Sequence, residues 1–557
     1  MKKIFIISVI ALAALSFNSC KDMLEEEVYG QPTADEMLSD PNNVAKVVGQ
    51  AYAEVKWLHD HWGYWGITTI SSDECVNPIR DPGQDWNDDG YWKGFNDHSW
   101  TANDLSFEFV WQYSNAGAVL CNKILSQLDG IKETLDPAVY KQFTAELKVL
   151  RTYYYYTLFD AFGRIPYLDN YSSASVPQSE TWEIWNKLVT CLEEEAPNLP
   201  IVNEKNRAEN YGRCSQGMAY TLLARLYLNA PSFGVTPSNC GIKGIESDQD
   251  FYKKCVDACE EVRKSKSYTI EDNFFTNFKI HNENSLENIF VIVEDGNANF
   301  DYRDAAGKMA NKLRITMLTL NYCHKTCWDM LEKPWNGFCA PTDFIQRYEY
   351  GVDKRGPCDS VRGTLACDGW GWFLGPVYDK NGVDILKMTD KGNLPAVMTS
   401  LVTSLTKATH NDGARLLKYE VDKQGTCKYC ENDFVLMRYA EVLYMEYEAA
   451  LRAGGDYSKY CTELLADANF QKIRIRAGVP AYGSLDLEEL LNERGREFAW
   501  EMLRRRDLIR YNKYSKGEWQ FKEAAEDNHR DWFPIPRKMI ETSGGLWTQN
   551  PGYTTDK

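Results

Sequence analysis

Apolar residues recur every three or four positions along much of this chain, which is the spacing of one face of an α-helix. The stretch 138–160 shows this pattern with Val139, Phe143, Leu147, Leu150, Tyr154 and Leu158. Gly163 and Pro166 follow, and both are suited to end a helix. The same spacing predicts further helices over 103–128, 181–195, 213–230, 250–264, 434–452, 461–476 and 486–511. The best strand signal is confined to 289–293, so the sequence predicts an all-α, mainly helical fold.

Most of the predicted helices are separated by short turns, which indicates stacked helix hairpins similar to tetratricopeptide units. Longer stretches without a helical pattern lie between them, at 57–102, 296–315, 332–382 and 383–433. Long segments of this kind in a compact protein are usually functional surface or small insertions. No Pro- or Ser-rich linker divides the chain, so we predict a single domain over 36–557 with a loop-built face.

The first residues predict export from the cytoplasm. A lysine pair precedes an apolar run over 4–15, which as a helix spans about 18 Å and falls short of a bilayer core of about 30 Å. This shape predicts a cleaved signal peptide over 1–19. Cys20 stands where a lipoprotein is acylated, although Phe17 replaces the usual aliphatic residue of that motif. We therefore predict lipidation at Cys20 and an acidic tether over 20–35; the alternative is a secretory signal with an incidental cysteine.

The net charge of −18 argues against a nucleic-acid partner, which requires a basic face. Fifteen cysteines follow Cys20, and their irregular spacing includes one CxxC, from Cys427 to Cys430. A second CxxC at zinc-finger distance is missing, which argues against a structural zinc site. We predict buried thiols together with a few disulfides, whose pairing the spacing leaves open.

Six sequence blocks, taken in order, resemble the SusD/RagB family of nutrient-binding lipoproteins. They are 145–156 with 162–166, LLARLYLNA at 222–230, RYAEVLYMEYEAAL at 438–451, IRIRAGVP at 473–480, ERGREFAWEMLRRRDLIRY at 493–511, and FPIP with QNPGY within 533–553. Together they cover nearly the whole chain after Cys20. Gly495 departs from the family pattern, in which an arginine is common, and a glycine inside a helix costs about 1 kcal/mol relative to alanine.

The resemblance implies a SusD-like fold, with four tetratricopeptide-like helix hairpins as a scaffold and a loop-rich ligand-binding face. It implies a non-enzymatic protein, lipid-anchored in the outer membrane and exposed at the cell surface. Such a protein captures an oligosaccharide or polysaccharide and delivers it to a SusC-like TonB-dependent transporter, without a cofactor. Peptide capture, as in RagB-like proteins, stays open as an alternative ligand class.

The family blocks themselves have a structural interpretation. Four consecutive tyrosines at 153–156 surround a helix turn, so we expect them to pack between helices. The charged side chains within 493–506 are expected to form ion pairs within and between helices. Neither set is expected to carry ligand chemistry.

Carbohydrate presents apolar ring faces and hydroxyl groups, so its recognition calls for exposed aromatic rings beside Asp, Asn, Gln or Arg side chains. The segment 57–103 holds six of the chain's 17 tryptophans together with such polar residues. Burial is harder for a tryptophan that stands among Gly and Asp, which favours three of the six for stacking. The binding residues predicted in this segment are Asp73, Arg80, Trp86, Trp92, Trp100 and Asn103.

A second candidate region covers 322–376. Trp335 and Asn336 pair an aromatic ring with an amide, and both are predicted to bind ligand. Trp370 and Trp372 flank a glycine and are predicted to do the same, although in an extended turn their rings face opposite ways.

A calcium loop is a further alternative within the tryptophan-rich segment. Asp85, Asn87 and Asp89 precede Gly90 and match the first half of such a loop. Asn96 stands where a bidentate glutamate is expected. The competing interpretation is a loop rich in Asx turns.

Two other classes of function stay open at this point. A helical glycoside hydrolase needs two carboxylates about 5–9.5 Å apart across a cleft, and 80 acidic residues leave that possible. The G-x-S-x-G, H-E-x-x-H and P-loop motifs are absent from the sequence. A scaffold that grips other proteins predicts a concave helical groove as its binding face.

Overall fold

The computed structural model describes residues 37–38, 40, 43–81, 85–295, 315–358, 371–425 and 430–554. The chain divides into two compact units, Met1–Val47 and Val48–Lys557, and every structural feature discussed below except the first turn of the helix Val44–Gln50 belongs to the second. The predicted signal peptide, the acidic tether with Cys20, and Trp370 lie outside the described residues. No helix in the described ranges combines the length and the apolar character needed to cross a membrane.

Helices dominate the described chain. Their bounds are α1 Val44–Gln50, α2 Ala53–Leu58, α3 Tyr64–Thr69, α4 Lys93–Asn96, α5 Leu105–Gly130, α6 Pro137–Phe162, α7 Thr181–Glu195, α8 Arg207–Asn210, α9 Gln216–Leu228, α10 Asp248–Lys264, α11 Ile315–Thr319, α12 His324–Trp328, α13 Thr342–Ile345, α14 Tyr439–Ala453, α15 Tyr457–Leu465, α16 Ala468–Ile475, α17 Leu487–Glu497, α18 Arg504–Arg510 and α19 Arg537–Thr542. The mainly helical fold predicted from the periodicity is confirmed.

The strands are short. They are β1 Ile165–Pro166, β2 Gln178–Ser179, β3 Asn288–Ile292, β4 Pro357–Cys358, β5 Trp372–Phe373, β6 Gly375–Pro376, β7 Lys387–Met388, β8 Leu394–Pro395, β9 Val397–Met398, β10 Arg415–Leu416 and β11 Phe434–Arg438. They form small sheets of two or three strands among the described residues.

Helix α6 shows how the local sequence sets its ends. The side chain of Asp136 accepts hydrogen bonds from the N–H groups of Ala138 and Val139, and Pro137 occupies the first turn. Gly163 ends the helix at φ 69°, a conformation that glycine adopts without a Cβ clash. The tyrosines at 153–156 are at most 4 % exposed, as expected for interhelical packing. Neighbouring helices pack in pairs: α5 with α6, α6 with α7, α9 with α10, α10 with α14, and α14 with α15.

Part of the predicted helix at 434–452 is a strand. Residues 434–438 form β11, which pairs antiparallel with β3, and α14 begins only at Tyr439. The backbone N–H and C=O groups of a buried strand, such as the one predicted at 289–293, need hydrogen-bond partners. Residues 434–438 provide those partners.

The predicted helix at 486–511 is interrupted between Glu497 and Arg504. There Trp500 and Met502 take positive φ angles of 61° and 64°. The backbone and indole N–H groups of Trp500 both donate to Glu74, at 3.1 and 2.8 Å, so tertiary contacts override helix propensity. The helix predicted at 461–476 is likewise split, because Asp467 caps the start of α16.

The stretches predicted as long loops fold into compact structure. Strand β5 pairs with β4 and β10, β6 with β9, and β7 with β8. Side chains from residues 317–421 form a separate hydrophobic core, whose members include Met317, Trp328, Phe373, Met388 and Leu417. Ten cysteines of the described ranges are buried, as predicted, and no disulfide joins any two of the twelve cysteines whose side chains are described.

Buried ion pairs hold the helices of the second half together. Arg438 donates to Glu287, Glu497 and Glu501 at 2.6, 3.0 and 2.8 Å, and neither it nor Glu497 is exposed to solvent. Arg355 reaches Glu497 from a different segment, at 2.9 Å. The charged cluster of 493–506 is therefore structural, as the sequence predicted.

Gly495 has a role in this network. A Cβ at this position would lie 3.0 Å from Nη1 of Arg504. The glycine thus leaves room for a guanidinium that binds the carboxylate of Asp73 at 2.7 and 2.8 Å.

Glu74 is a buried acid, and we expect its titration to make the stability of the folded protein depend on pH. Its Oε1 has no partner among the described residues. Burial raises the pKa of Glu74 from 4.5 to about 8, so the folded protein favours the neutral acid. The resulting stabilisation is complete below the unfolded pKa and is lost as pH rises through the folded pKa.

We expect Glu74→Gln, which mimics the neutral acid, to raise the melting temperature at about pH 8 and to change it little at about pH 5. Thermal melting across this pH range tests the expectation. Glu209→Gln, at an exposed position, should show no pH-dependent gain. A Glu74→Gln protein that melts lower at the higher pH would contradict the proposed titration.

Candidate functional site

Two segments that are distant in sequence bring their tryptophans into contact. The ring centroids of Trp86 and Trp335 lie 5.2 Å apart at an interplanar angle of 54°. The backbone N–H of Trp86 also donates to the carbonyl oxygen of Trp335, at 3.4 Å. Both residues are half-buried, so each keeps part of its surface open to solvent. The structure thus joins the two regions that the sequence singled out.

These two rings begin a longer row of half-buried aromatic residues, which we call the aromatic face: Trp335, Trp86, Trp62, Tyr91, Phe109 and Tyr113. The ring of Trp62 lies 4.9 Å from Tyr91 and 6.3 Å from Phe109, and Phe109 lies 6.0 Å from Tyr113. Buried His61 connects Trp86, at 5.5 Å, with Trp62, at 5.8 Å. The rings therefore form a continuous series from Trp335 to Tyr113.

A fully buried layer of rings supports the aromatic face. Trp92 is 0 % exposed, and its ring lies 5.0 Å from Trp62 and 5.8 Å from Phe338. Phe338 in turn meets Trp86 at 5.1 Å. The indole N–H of Trp92 donates to the carboxylate of Asp88 at 2.9 Å. Because this layer fixes the half-buried rings, a ligand that binds them pays little to order them.

Asn336 holds the Trp335 segment in place. Its Nδ2 donates to Asp85 at 2.6 Å and to the carbonyl of His410 at 3.1 Å, and its Oδ1 accepts from Arg415 at 2.8 and 3.1 Å. Its φ of 54° lies in the left-handed region, which asparagine tolerates. Asn336 is 0 % exposed. The predicted direct contact with ligand is therefore wrong, and the residue positions Trp335 instead.

Two buried guanidiniums complete this support. Arg80 donates to the carbonyls of Asn336 and Gly337 at 2.6 and 2.9 Å and is 1 % exposed, which corrects its predicted ligand contact. Burial, together with the positive charge of Arg80, lowers the pKa of Arg415 to about 9. Arg80 and Arg415 thus stabilise the segment that carries Trp335 through hydrogen bonds.

Charged groups surround the Trp86–Trp335 end of the aromatic face. Oδ1 of Asp85 lies 4.0 Å from Nζ of Lys391, and its Oδ2 lies 2.6 Å from Nδ1 of His410. Burial raises the pKa of half-buried Asp88, and its hydrogen bond from Trp92 opposes that effect. The site therefore combines apolar ring surface with carboxylates and an ammonium group.

Other predicted binding residues are buried and structural. Trp100 is 6 % exposed, and its indole N–H donates to the hydroxyl of Tyr553 at 3.0 Å. Trp372 is 0 % exposed and packs edge-on against Trp500 at 5.5 Å. The expectation that Trp92, Trp100 and Trp372 are exposed is wrong, because their large apolar area favours burial of the segments that carry them.

Asp73 is also part of the interior. It pairs with Arg347 at 2.6 Å and with Arg504 at 2.7 Å, and it is 3 % exposed. Burial alone would raise the pKa of Asp73, but the two guanidiniums hold it below its usual range. Its predicted contact with ligand is corrected to an ion pair that ties the tryptophan-rich segment to α18.

Asn103 is exposed but lies elsewhere. It lines a polar groove of about 410 Å³ together with Arg537, Lys538 and Glu541. Among the contacts of the described residues, none joins Asn103 to the aromatic face.

The calcium alternative does not fit the geometry. Asp85 faces His410 and Asn336, whereas the Oδ1 of Asn87 accepts from the backbone N–H of Gly90 at 3.0 Å. Asp89 is exposed at φ 55°. The described residues hold no group of three or more His, Cys, Asp or Glu arranged for a metal ion. The Asx-turn interpretation matches the structure.

Sequence reasoning missed several members of the aromatic face. Phe109 and Tyr113 lie four residues apart on α5 and so share one side of that helix. Their position just after the tryptophan-rich segment was a usable signal. Trp62 and Tyr91 carried no signal that separated them from their buried neighbours.

Comparison with known proteins gives two family matches. A profile described as the SusD family matches residues 391–553, and one described as starch-binding and associating with the outer membrane matches residues 68–228. The starch-binding protein SusD of Bacteroides thetaiotaomicron is 22 % identical over 487 residues, which cover 82 % of this chain and 80 % of that protein.

Solved structures share the fold. Surface glycan-binding protein A of Bacteroides thetaiotaomicron, solved in complex with laminarihexaose, is 21 % identical with a TM-score of 0.68, and the match covers 91 % of this chain and 99 % of that one. Surface glycan-binding protein A of Bacteroides uniformis is 20 % identical with a TM-score of 0.67, over 92 % and 99 % of the two chains.

Proposed function

Because this chain belongs to the SusD family, we propose that it captures an oligosaccharide at the cell surface and delivers it to a SusC-like TonB-dependent transporter. The single observation that carries the ligand class is the continuous aromatic face from Trp335 to Tyr113. Sugar rings have apolar faces that stack on such side chains, and flat rings on a fixed support bind them at low entropic cost.

The polar groups beside the rings suit the hydroxyls of a sugar. Asp88 and Asp89 can accept hydrogen bonds from hydroxyl groups, and Lys391 can donate to them. Asp85 already accepts from Asn336 and His410, so its main role is to orient the Trp86 segment. We assign stacking to the half-buried rings and hydroxyl recognition to the rim.

The relatives favour glycan over peptide. The curated relative is named for starch binding, and one solved neighbour holds laminarihexaose. The proposal includes no catalytic step, and the prediction that follows is that purified protein releases no reducing sugar from a glycan that it binds.

The proposed location is the outer face of the outer membrane. Acylation of Cys20 would anchor the protein, and the acidic tether over 20–35 would hold the domain away from the bilayer. Replacing Cys20 by alanine should then move the protein from the membrane fraction to the soluble fraction. Retention in the membrane fraction would contradict anchoring at this residue.

Isothermal calorimetry against a panel of oligosaccharides, with acidic and neutral peptides included, tests the ligand class. We expect at least one glycan to bind and the peptides to give no heat. Binding of peptides alone would overturn the proposal and favour the RagB-like alternative.

A variant of Trp100 tests whether a buried tryptophan contributes to stability and not to glycan binding. Trp100→Phe removes the hydrogen bond to Tyr553 and part of the ring volume, so we expect a loss of about 1–2 kcal/mol in the free energy of unfolding. Glycan affinity should stay unchanged, because the ring is covered. Denaturant unfolding and calorimetry measure the two effects, and weakened binding at unchanged stability would contradict the assignment.

A further inference from the structure

A small internal pocket lies where α9, α14 and α18 meet, apart from the aromatic face. It measures about 20 Å³, which leaves room for one water molecule or one monatomic ion. Its lining residues are buried except for half-buried Arg510. Much of the wall is apolar, formed by Leu228, Leu436, Met445, Met502 and Leu503.

Two unpartnered hydrogen-bond donors belong to this lining. Arg494 uses Nε and Nη2 to bind Asp507, at 2.8 and 3.0 Å, and its Nη1 has no partner among the described residues. Arg506 binds Asp160 through Nε and Nη2, at 2.5 and 2.9 Å, and its Nη1 is likewise unpartnered. The two residues are 2 % and 5 % exposed. Buried donors without a partner call for a water or an ion at the site.

Charge around the pocket is unbalanced. The carboxylates of Asp160, Asp507 and Glu448 are shared by five guanidiniums, those of Arg452, Arg494, Arg505, Arg506 and Arg510. Arg225 and Glu441, also in the lining, neutralise each other at 2.6 Å, and Glu501 of the lining binds Arg438 and Lys418. Asp531 interacts more distantly with Arg505 and Arg506 and offsets one charge. An excess of positive charge remains, and buried charge without compensation is costly.

We propose that this pocket binds one small monatomic anion, chloride under ordinary conditions. A halide only accepts hydrogen bonds, so it suits a pocket whose lining holds two unpartnered Nη1 groups, and its charge offsets one excess guanidinium. A water molecule fits the same volume but carries no charge, so it would leave the excess guanidinium charge uncompensated. Arg494 lies on α17 and Arg506 on α18. The anion would therefore link these two helices, which the non-helical residues between Glu497 and Arg504 separate.

Crystals of the full chain transferred from chloride to bromide provide the decisive test. We expect an anomalous difference peak inside the pocket that Arg494 and Arg506 line. A water-like density without anomalous signal at this position would overturn the proposal. This measurement uses the unaltered protein, so it does not depend on a variant that folds.

Melting experiments measure the contribution of the anion. Chloride should raise the melting temperature by about 1–2 °C over gluconate at equal ionic strength. Arg506→Lys, which removes the free Nη1, should lose this shift. Arg452→Lys is the matched control, because Arg452 binds Glu448 outside the pocket, and it should retain the shift. Equal melting of the unaltered protein in both salts would contradict the proposal.

Discussion

Replacing Trp86 and Trp335 together by alanine is expected to weaken glycan binding by about 2–6 kcal/mol, or roughly 30- to 25,000-fold in Kd. The estimate assumes about 1–3 kcal/mol for each ring, by analogy with nucleic-acid bases stacked on aromatic side chains. The two rings meet at 5.2 Å and form one end of the aromatic face, so the double variant removes that end entirely. Calorimetry with the glycan found by panel screening measures the loss.

Trp182→Ala is the matched control. Trp182 is another half-buried tryptophan, located in the first turn of α7 and outside the aromatic face. Its replacement should leave Kd unchanged. Melting curves for both variants show whether a loss of binding reflects lost ligand contacts or an unfolded protein. A double variant that is folded and binds glycan normally would show that the aromatic face is not the binding site.

The second large effect concerns stability. Arg438→Met should lower the free energy of unfolding by about 3–5 kcal/mol, because Glu287, Glu497 and Glu501 would lose a shared buried partner. Arg476, Arg355 and Lys418 would remain as partners of these three acids but would not replace the lost charge, and methionine fills the volume without supplying one. Denaturant unfolding at neutral pH measures this loss.

Arg537→Met serves as the matched control. Arg537 pairs with Glu541 one helix turn away on the surface, and both side chains are more than 40 % exposed. Such pairs contribute about 0–1 kcal/mol. If Arg438→Met were no more destabilising than this control, the buried network would not hold the helices together.

Acid should weaken the same network. The pKa of Glu493 is lowered to about 2: burial opposes ionisation, but Arg355, Arg496 and Arg474 outweigh that effect. A depressed folded pKa gives stability that is present above the unfolded value and is lost as pH falls towards about 2. Unfolding in acid is therefore expected to begin below about pH 4.5.

Periodicity predicted the helices because each buries one apolar face along its whole length. The bounds of α7 coincide with the predicted 181–195, and those of α5, α9 and α10 differ from the predicted bounds by at most three residues at either end. The interruption before α18 was not visible, since it depends on Trp500 bonding to Glu74, more than 400 positions earlier.

The candidate site was predictable only in part. Composition located the tryptophan-rich segment, and Trp86 and Trp335 do lie at the surface and in contact. Trp92 and Trp100 have similar local sequence but are buried, because burial is decided by Phe338, Phe533 and Tyr553 from distant segments. Local composition cannot separate a ring that binds ligand from one that supports it.

A crystal structure with a bound oligosaccharide tests the central claim most directly. The account predicts sugar rings stacked on Trp86 and Trp335, with the chain continuing towards Trp62 and hydroxyls near Asp88. A glycan seated elsewhere, such as the groove beside Asn103, with the aromatic face left empty, would contradict it.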